Sequence, residues 1–289
     1  IGSRKISNPP YWLTQAEVVE INWSDDTSLE KICIGIDVVI HAAGINAQDC
    51  ALDPIAALEF NGLATTRLLE ASCKAGVGRF INLSSAHVYS NPLVGEITEE
   101  TEPRNPHPYA TSRLVGDYAV LNAQKLGKIQ GVVVRLSNGF GAPMHKDVNC
   151  WMLLVNDLCK QAVLTQKIIL KSNGIQERDF IGVHQVCKTL ELLAFNNNET
   201  PQTGVFNLGS GMAQSVISMA ELIQQRCFRV LGFMPTLSFP NTDEDLNILK
   251  LKLSYRINKL KALGVKFINE EKVKEIDELL FFCESEFGR

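Results

Sequence analysis

The sequence predicts an α/β protein: a doubly wound parallel sheet with a smaller C-terminal lobe. Three observations lead to this fold class. Strands and helices alternate through the first half of the 289 residues, and the strands are rich in valine and isoleucine, as in parallel sheets covered on both faces. After Gly141, proline, glycine and asparagine become frequent and the elements shorten. We expect this second part to lie over the carboxyl edge of the sheet, where such folds bind ligands.

Apolar periodicity and glycine punctuation predict the individual elements. In the first half, strands are predicted at residues 1–3, 18–21, 37–41, 79–83 and 131–136. Helices between them are predicted at residues 27–34, 53–75 and 109–126. In the second half, strands are predicted at 168–170, 180–183, 205–208 and 235–239, and helices at 184–195, 215–231, 256–263 and 270–286. Ser215 is a candidate N-cap for its helix.

Composition narrows the kinds of partner. The net charge of −4 and the pI of about 5.8 do not indicate a nucleic-acid partner. No histidine pair has zinc-ligand spacing with a cysteine, so no metal site is predicted. No apolar run has membrane-spanning length, and no signal peptide is visible. The eight cysteines include no CxxC pair and lie in runs such as Leu158-Cys159, which indicates packed, reduced thiols in a cytoplasmic protein.

The most informative feature is a set of three polar side chains. Ser85 is predicted on the loop that leaves strand 79–83, and Tyr109 opens a later helix. Arg113 lies four residues after Tyr109, so both share one helix face. A hydroxyl, a phenol and a fixed positive charge can together move a proton. The alternatives are a serine that closes a strand, a tyrosine on a helix surface and a helix-surface arginine.

Seven segments, taken in order, resemble one family. They are 37–44 (DVVIHAAG), 61–65 (NGLAT), 80–89 (FINLSSAHVY), 109–113 (YATSR), 135–143 (RLSNGFGAP), 174–181 (GIQERDFI) and 206–211 (FNLGSG). They look like the motifs of the extended short-chain dehydrogenase/reductase family, the NAD-dependent epimerase/dehydratase group that acts on nucleotide sugars. The resemblance implies a Rossmann-like fold and covers the chain from about Val18 to near its C-terminus.

The resemblance assigns catalytic roles to the three polar side chains. Tyr109 would exchange a proton with a sugar hydroxyl while hydride moves between the sugar carbon and a nicotinamide. Ser85 would hydrogen-bond the same hydroxyl. Arg113 stands where the family has a lysine that binds the nicotinamide ribose and supports the phenolate. Arginine keeps the charge but carries it on a wider planar group, so a chain that has lost catalysis is an alternative.

The implied cofactor is NAD or NADP. The cofactor-binding positions implied by the resemblance are Asn22, Trp23, Ala42, Ala43, Gly44, Asn61, Tyr109, Arg113 and Arg4. Trp23 can instead be core packing. Arg4 follows the predicted strand 1–3, where a basic residue suits the 2′-phosphate of NADP, although a solvated basic loop is the alternative. The family's glycine-rich pyrophosphate turn has no counterpart here. We expect that the chain starts in the middle of this domain; the alternative is that the pyrophosphate site is truly absent.

Substrate positions and domains follow from the same resemblance. Ser85, His87, Asn138 and Arg178 would contact the substrate, with Arg178 at its diphosphate. The alternative for Arg178 is an ion pair with Asp179 or Glu177. The predicted domains are a dinucleotide-binding core at 1–140, to which 183–200 returns, and a substrate-binding lobe at 141–182 and 201–289. A homodimer through helices 53–75 and 109–126 is expected.

The residues after Ser85 favour one reaction. In nucleotide-sugar dehydratases of the family an Asp-Glu pair follows the serine or threonine, whereas here Ala86 and His87 follow it. Alanine cannot transfer a proton, so dehydration is disfavoured and an epimerase of a nucleotide sugar, acting through a transient keto intermediate, is favoured. The alternatives are an NADPH-dependent ketone or sugar reductase and a non-catalytic dinucleotide-binding protein.

Overall fold

The predicted alternation of strands and helices is present in the computed structural model, which describes residues 1–5, 8–11, 13–195, 202–240 and 252–288. The strands, in chain order, are β1 Gly2–Ser3, β2 Val19–Glu20, β3 Val38–His41, β4 Arg79–Ser85, β5 Gly95–Ile97, β6 Gln130–Leu136, β7 Asn138–Phe140, β8 Lys167–Ile169, β9 Glu177–Gly182, β10 Gly204–Leu208, β11 Ala213–Ser215, β12 Thr236–Ser238 and β13 Leu253–Tyr255. The helices are α1 Asp26–Cys33, α2 Ala47–Leu52, α3 Pro54–Ala57, α4 Ala64–Ala75, α5 Pro108–Lys125, α6 Leu154–Thr165, α7 Val183–Phe195, α8 Val216–Leu231, α9 Asn258–Ala262 and α10 Asn269–Phe287.

A four-stranded sheet in the order β10–β6–β4–β3 confirms the predicted fold class. Strands β3 and β4 are parallel, with Val38 opposite Arg79 and His41 opposite Asn82. The central valines of β6 are fully buried, as expected for a strand covered on both faces. The predicted strand at residues 1–3 is β1, which pairs in parallel with β2.

Contacts divide the chain into two units. The first unit contains Ile1–Val88, Arg104–Val134 and Leu193–Val205, and the second contains Tyr89–Pro103, Arg135–Leu192 and Phe206–Arg289. Residues 89–103, 135–140 and 183–192, predicted in the core domain, therefore belong to the second unit. Residues 196–200 of the segment predicted to return lie outside the described ranges. The functional names of the two domains remain predictions.

The first unit packs α1, α4 and α5 around the sheet. Its apolar core includes Leu29 of α1, Leu69 of α4, Phe80 of β4 and Val120 of α5. Helix α4 ends, as predicted, at Gly76, whose φ of +79° is a left-handed conformation that glycine adopts without a Cβ penalty. Within the described ranges, none of the helices combines the length and hydrophobicity needed to cross a bilayer.

The second unit has its own core, built from α6, α8 and α10. Cys159, Cys227 and Cys283 are buried in it, as predicted for packed thiols. Ser215 caps α8 as predicted, because its Oγ accepts a hydrogen bond of 3.1 Å from the Ser218 N–H. Within this unit, the Asn207 Oδ1 accepts hydrogen bonds from the Tyr89 and Tyr255 hydroxyls at 2.7 and 3.1 Å.

The predicted long helix at residues 53–75 is wrong in its continuity. Asp53 ends α2 and caps α3 through a 3.0 Å bond from the Ala56 N–H, and Pro54 starts α3 because it lacks an N–H. A π-helical segment, Leu58–Leu63, then joins α3 to α4. The local apolar spacing does not distinguish a π turn from an α turn, so the sequence predicted one regular helix.

Candidate active site

Tyr109 and Arg113 lie together on the first turns of α5. The helix begins at the N-cap His107 with Pro108 as its first residue, the position where a missing N–H costs nothing. The Arg113 Cζ lies 5.4 Å from the centre of the Tyr109 ring, within the range of a cation–π contact. The predicted pairing of a phenol with a fixed cation is therefore present in the first unit.

Arg113 is anchored inside this unit. Its side chain is buried, with the residue only 8% exposed, and its Nη1 donates hydrogen bonds of 3.2 Å to Ala43 O and 3.5 Å to Leu83 O. The guanidinium lies directly on Gly44, where an added Cβ would overlap Nη2. The alternative of a helix-surface arginine is therefore wrong. Arg113 connects α5 to the segment after β3 and to the end of β4.

Ser85 is the last residue of β4. The strand was predicted to end at Leu83 and is two residues longer, so the prediction that Ser85 lies on the following loop is wrong. Polar residues at the carboxyl end of a parallel strand do not interrupt its backbone ladder, and the strand continues through them. The Ser85 Oγ is buried and accepts a 3.2 Å hydrogen bond from the His87 N–H. Among the described residues no acceptor takes the Ser85 hydroxyl hydrogen, so this hydrogen is available for a ligand. Helix α5 packs against β4 and against the 3₁₀ turn Ala86–Val88.

Asn61 braces the segment predicted to contact the cofactor. Its Oδ1 accepts a 2.8 Å hydrogen bond from the Ile45 N–H, and its Nδ2 donates a 3.1 Å hydrogen bond to the Ser112 Oγ on α5. Asn61 is buried in the π-helical segment. It therefore ties the chain after Gly44 to the helix that carries Tyr109, and its direct contact with a cofactor stays a prediction.

His41 is a neutral, buried residue behind this segment. Its Nε2 lies 2.9 Å from the Thr65 Oγ1, and the Thr65 hydroxyl donates to Asn61 O at 2.8 Å. Nε2 therefore carries the hydrogen. Burial lowers the pKa of His41 from 6.5 to about 4, and the charge of Arg113 acts in the same direction.

The residues predicted at the adenosine end of a cofactor are also in the first unit. Asn22 is exposed, and its Oδ1 accepts a 3.1 Å bond from the Ser24 N–H, which leaves one lone pair. The Trp23 ring lies edge-on to His41 and Phe60, with centroids 5.7 and 5.6 Å apart, the packing named as its alternative. Arg4 is exposed immediately after β1.

The surroundings of Arg113 fit a ligand that brings hydroxyl oxygens. The Arg113 Nε–H is buried and has no acceptor in the part of the chain that the structure describes. Among the same residues, both hydrogen bonds of its guanidinium come from Nη1. Ala42, Ala43 and Gly44 leave little side-chain bulk beside it. Free donors next to small residues suit the ribose of a dinucleotide.

The predicted substrate residues Asn138 and Arg178 lie in the second unit, on β7 and β9. The Asn138 Nδ2 donates a 3.0 Å hydrogen bond to Asp179 O. The Arg178 Nη2 is 3.4 Å from the Gln176 Oε1, and across the described ranges no carboxylate forms an ion pair with it. The alternative ion pair with Asp179 or Glu177 is therefore not formed.

The neighbouring carboxylates of Arg178 are used elsewhere. Asp179 accepts hydrogen bonds from the Ser137 Oγ and from the Ser210 N–H and Oγ, and Glu177 accepts one from the Leu253 N–H. Burial lowers the pKa of Arg178. Arg178 is thus a half-buried cation without a carboxylate partner among the described residues, and such a group favours an anionic ligand.

Two residues near Tyr109 escaped the sequence reasoning. Asn105 and His107 make side-chain hydrogen bonds between the 3₁₀ turn and the start of α5. The sequence did contain one signal for His107. It is a polar residue directly before Pro108, the first residue of the helix, and this is the position of an N-cap.

Comparisons with known proteins identify the family and the fold. A profile described as "NAD dependent epimerase/dehydratase family" matches residues 1–209. A protein of Methanocaldococcus jannaschii named "Putative UDP-glucose 4-epimerase" is 29% identical over 77% of this chain and 70% of its own length. A dTDP-glucose 4,6-dehydratase of Streptomyces niveus is 23% identical over 70% of this chain and 58% of its own length. A solved UDP-N-acetylglucosamine 4-epimerase of Methanobrevibacter ruminantium is 21% identical, with a TM-score of 0.77 over 93% of this chain and 83% of that chain; this likeness shows the fold.

Proposed function

Because the chain belongs to the NAD-dependent epimerase/dehydratase family, we propose that it is an epimerase that inverts one carbon of a nucleotide sugar through a transient ketone. The observation that carries the proposal is the Tyr109–Arg113 pair, with Arg113 buried and bonded to the segment after β3 and to the end of β4. This arrangement places the phenol, a fixed positive charge and the Ser85 strand end in one unit.

A bound nicotinamide would supply the hydride acceptor and later return the same hydride. The chain's own residues handle the proton. Tyr109 takes the proton from the sugar hydroxyl as that carbon becomes a ketone, and Ser85 donates a hydrogen bond to the same oxygen. Arg113 compensates the negative charge on the phenol oxygen from one helical turn away. When the ketone has turned its other face, the carbon takes back the hydride and Tyr109 returns the proton to the oxygen, so the reaction has no net redox change.

The turn after Ser85 favours epimerisation over dehydration. Elimination of water from the sugar needs one protein side chain that acts as an acid and one that acts as a base. Ala86 can be neither, because it is a fully buried alanine. His87 is half-buried beside it and can supply one polar contact to the sugar. An epimerase needs only Tyr109, Ser85 and the dinucleotide. A reductase, the alternative, would use the same residues but consume NADPH.

The second unit supports a nucleotide diphosphate as the substrate handle. Arg178 is half-buried without a carboxylate partner among the described residues, and a guanidinium matches phosphate oxygens geometrically. Asn138, on the neighbouring strand β7, is bonded to the backbone of Asp179 beside Arg178. The name of the archaeal relative makes UDP-glucose the first substrate to test.

Two further features belong to the proposal. Arg4, exposed after β1, would let the chain bind NADP as well as NAD by meeting the 2′-phosphate. The chain would also form a homodimer through α3–α4 and α5, because large apolar side chains are exposed there. They are Ile55, Leu58, Leu63, Val115 and Tyr118. A cluster of this kind is typical of an interface between copies.

A panel of UDP-, dTDP- and GDP-sugars, incubated with and without added NAD, tests the proposal. Epimerised sugar without net change in NADH absorbance is the expected result. Net oxidation of NADPH with formation of a reduced sugar would instead identify a reductase. If calorimetry detects binding of NAD or NADP but no sugar of the panel is converted, the non-catalytic dinucleotide-binding alternative replaces the proposal.

A further inference from the structure

The segment that leads into α5 and includes its first two residues has few backbone donors. Residues 104–109 read R-N-P-H-P-Y, and we call them the proline strap. Pro106 and Pro108 have no N–H, and their rings fix φ. Between Asn105 and Tyr109, only Asn105, His107 and Tyr109 therefore carry a backbone donor.

All three of these donors have a defined acceptor. The Asn105 N–H donates to Val88 O at 3.3 Å. The His107 N–H donates to the Asn105 Oδ1 at 3.0 Å, and the Tyr109 N–H donates to the His107 Nδ1 at 3.1 Å. His107 is thus the N-cap of the helix that carries the proposed catalytic phenol.

The strap continues to the other proposed catalytic hydroxyl. The Asn105 Nδ2 donates a 2.7 Å hydrogen bond to His87 O, and the His87 N–H donates a 3.2 Å hydrogen bond to the Ser85 Oγ. A chain of hydrogen bonds therefore leads from Ser85 through His87, Asn105 and His107 to the backbone of Tyr109. All its members lie in the first unit.

We propose that Asn105 and His107 are positioning residues that set the Ser85 hydroxyl and the Tyr109 phenol relative to each other. This inference rests on the proposed function, because it matters only if these two groups act on one substrate oxygen. Asn105 uses both ends of its amide, one toward the serine turn and one toward His107. His107 then fixes the first turn of α5, from which the Tyr109 side chain leaves.

The role of His107 depends on an acceptor at its Nδ1, not on an imidazole as such. A serine at this position can also accept from the second or third N–H of the helix, whereas alanine cannot. Asn105→Asp keeps the acceptor for the His107 N–H but replaces the donor to His87 O by an oxygen that repels it. These variants separate the helix cap from the connection to the serine turn.

Turnover is the first measurement, with UDP-glucose and NAD at saturating concentrations. His107→Ala and Asn105→Ala should each lower kcat about tenfold to a hundredfold, since a misplacement of about 1 Å can cost a hundredfold, with little change in KM. His107→Ser should restore kcat to within about threefold. Ser215→Ala is the matched control, because it removes the N-cap of α8 in the second unit; it should lower Tm similarly and leave kcat unchanged.

Amide hydrogen exchange is the second measurement and needs no substrate. In Asn105→Ala, exchange should accelerate both at the 85–88 turn and at the first turn of α5, while the start of α8 keeps its wild-type rate. Unchanged kcat in His107→Ala and Asn105→Ala, with activity abolished in Tyr109→Phe, would overturn the positioning role and leave the proposed function standing. Faster exchange at only one of the two ends would also overturn it. If the wild-type protein turns over none of the sugars, the proposed function fails, and the exchange data still decide whether the strap couples its two ends.

Discussion

Replacing Gly44 by alanine should destabilise the protein only while Arg113 is present. The added Cβ would overlap the Arg113 Nη2 and stand 2.5 Å from its Cζ, whereas nonbonded heavy atoms prefer about 3.5–4.0 Å. The guanidinium must therefore move by more than about 1 Å. Gly44 itself is not among the residues with positive φ, so alanine adds no backbone strain of its own.

The expected cost follows from the bonds that this movement breaks. Nη1 loses its hydrogen bond to Ala43 O at 3.2 Å and the weaker one to Leu83 O at 3.5 Å. Hydrogen bonds to charged groups contribute about 1.5–3 kcal/mol, and only the shorter one has good geometry. We therefore expect Gly44→Ala to lower the free energy of unfolding by about 2–3 kcal/mol.

A double-mutant cycle isolates this contact. Urea unfolding is measured for wild type, Gly44→Ala, Arg113→Lys and the double variant. In the Arg113→Lys background the added Cβ should cost less than about 1 kcal/mol, which gives a coupling energy of about 2 kcal/mol. Gly78→Ala is the matched control, because its Cβ would meet its nearest neighbour, Asp37 O, at an ordinary 3.4 Å. Equal losses for Gly44→Ala in both backgrounds would refute the contact between the guanidinium and Gly44.

Three further predictions concern pH, substrate binding and assembly. Because the pKa of His41 falls from 6.5 to about 4 on folding, the unfolded chain binds the extra proton between these values. The free energy of unfolding should therefore fall by about 3 kcal/mol as pH drops from about 6.5 to about 4. His41→Gln should reduce the slope of this free energy against pH over the same range; an unchanged slope would contradict the buried neutral state. Arg178→Gln should weaken UDP binding about tenfold or more by calorimetry and leave uridine binding unchanged, whereas an equal loss for both would exclude a phosphate contact. Tyr118→Glu should convert a dimer to a monomer in light scattering; a wild-type monomer would end the dimer proposal.

The parts of the fold that depend on local pattern were predictable. The parallel strands follow from β-branched runs, and the Tyr109–Arg113 contact follows from their i, i+4 spacing on a helix. Ser215 as an N-cap and Gly76 as a helix end follow from local conformational preferences. In each case the forces act within one or two turns of the chain.

The features that were missed depend on contacts between distant residues. The π-helical segment contains Asn61, whose amide bonds to Ile45 and Ser112, and neither partner is visible in the local pattern. The burial of Arg113 depends on the carbonyl of Ala43, after β3, and on that of Leu83, in β4. The i, i+4 spacing correctly predicted that Arg113 lies beside Tyr109. It could not show which backbone carbonyls accept hydrogen bonds from the Arg113 guanidinium, because these carbonyls are distant in the sequence.

The proline strap was missed for the same reason. A segment rich in proline and asparagine predicts an irregular loop. Its sequence does not show that the turn after Ser85 lies within hydrogen-bonding distance of it. Once the turn is in place, Asn105 is a bridge and His107 is a cap. Polar residues that flank prolines just before a catalytic helix are therefore worth testing as positioning residues.

The most direct test of the proposed function is the interconversion of UDP-glucose and its C4 epimer by wild type and Tyr109→Phe, with NAD added. Removing the phenol hydroxyl removes the proton acceptor and donor, so kcat should fall at least about a hundredfold while calorimetry still detects binding of UDP and NAD. A Tyr109→Phe variant that turns over as fast as wild type would contradict the role of the phenol and, with it, the proposed chemistry.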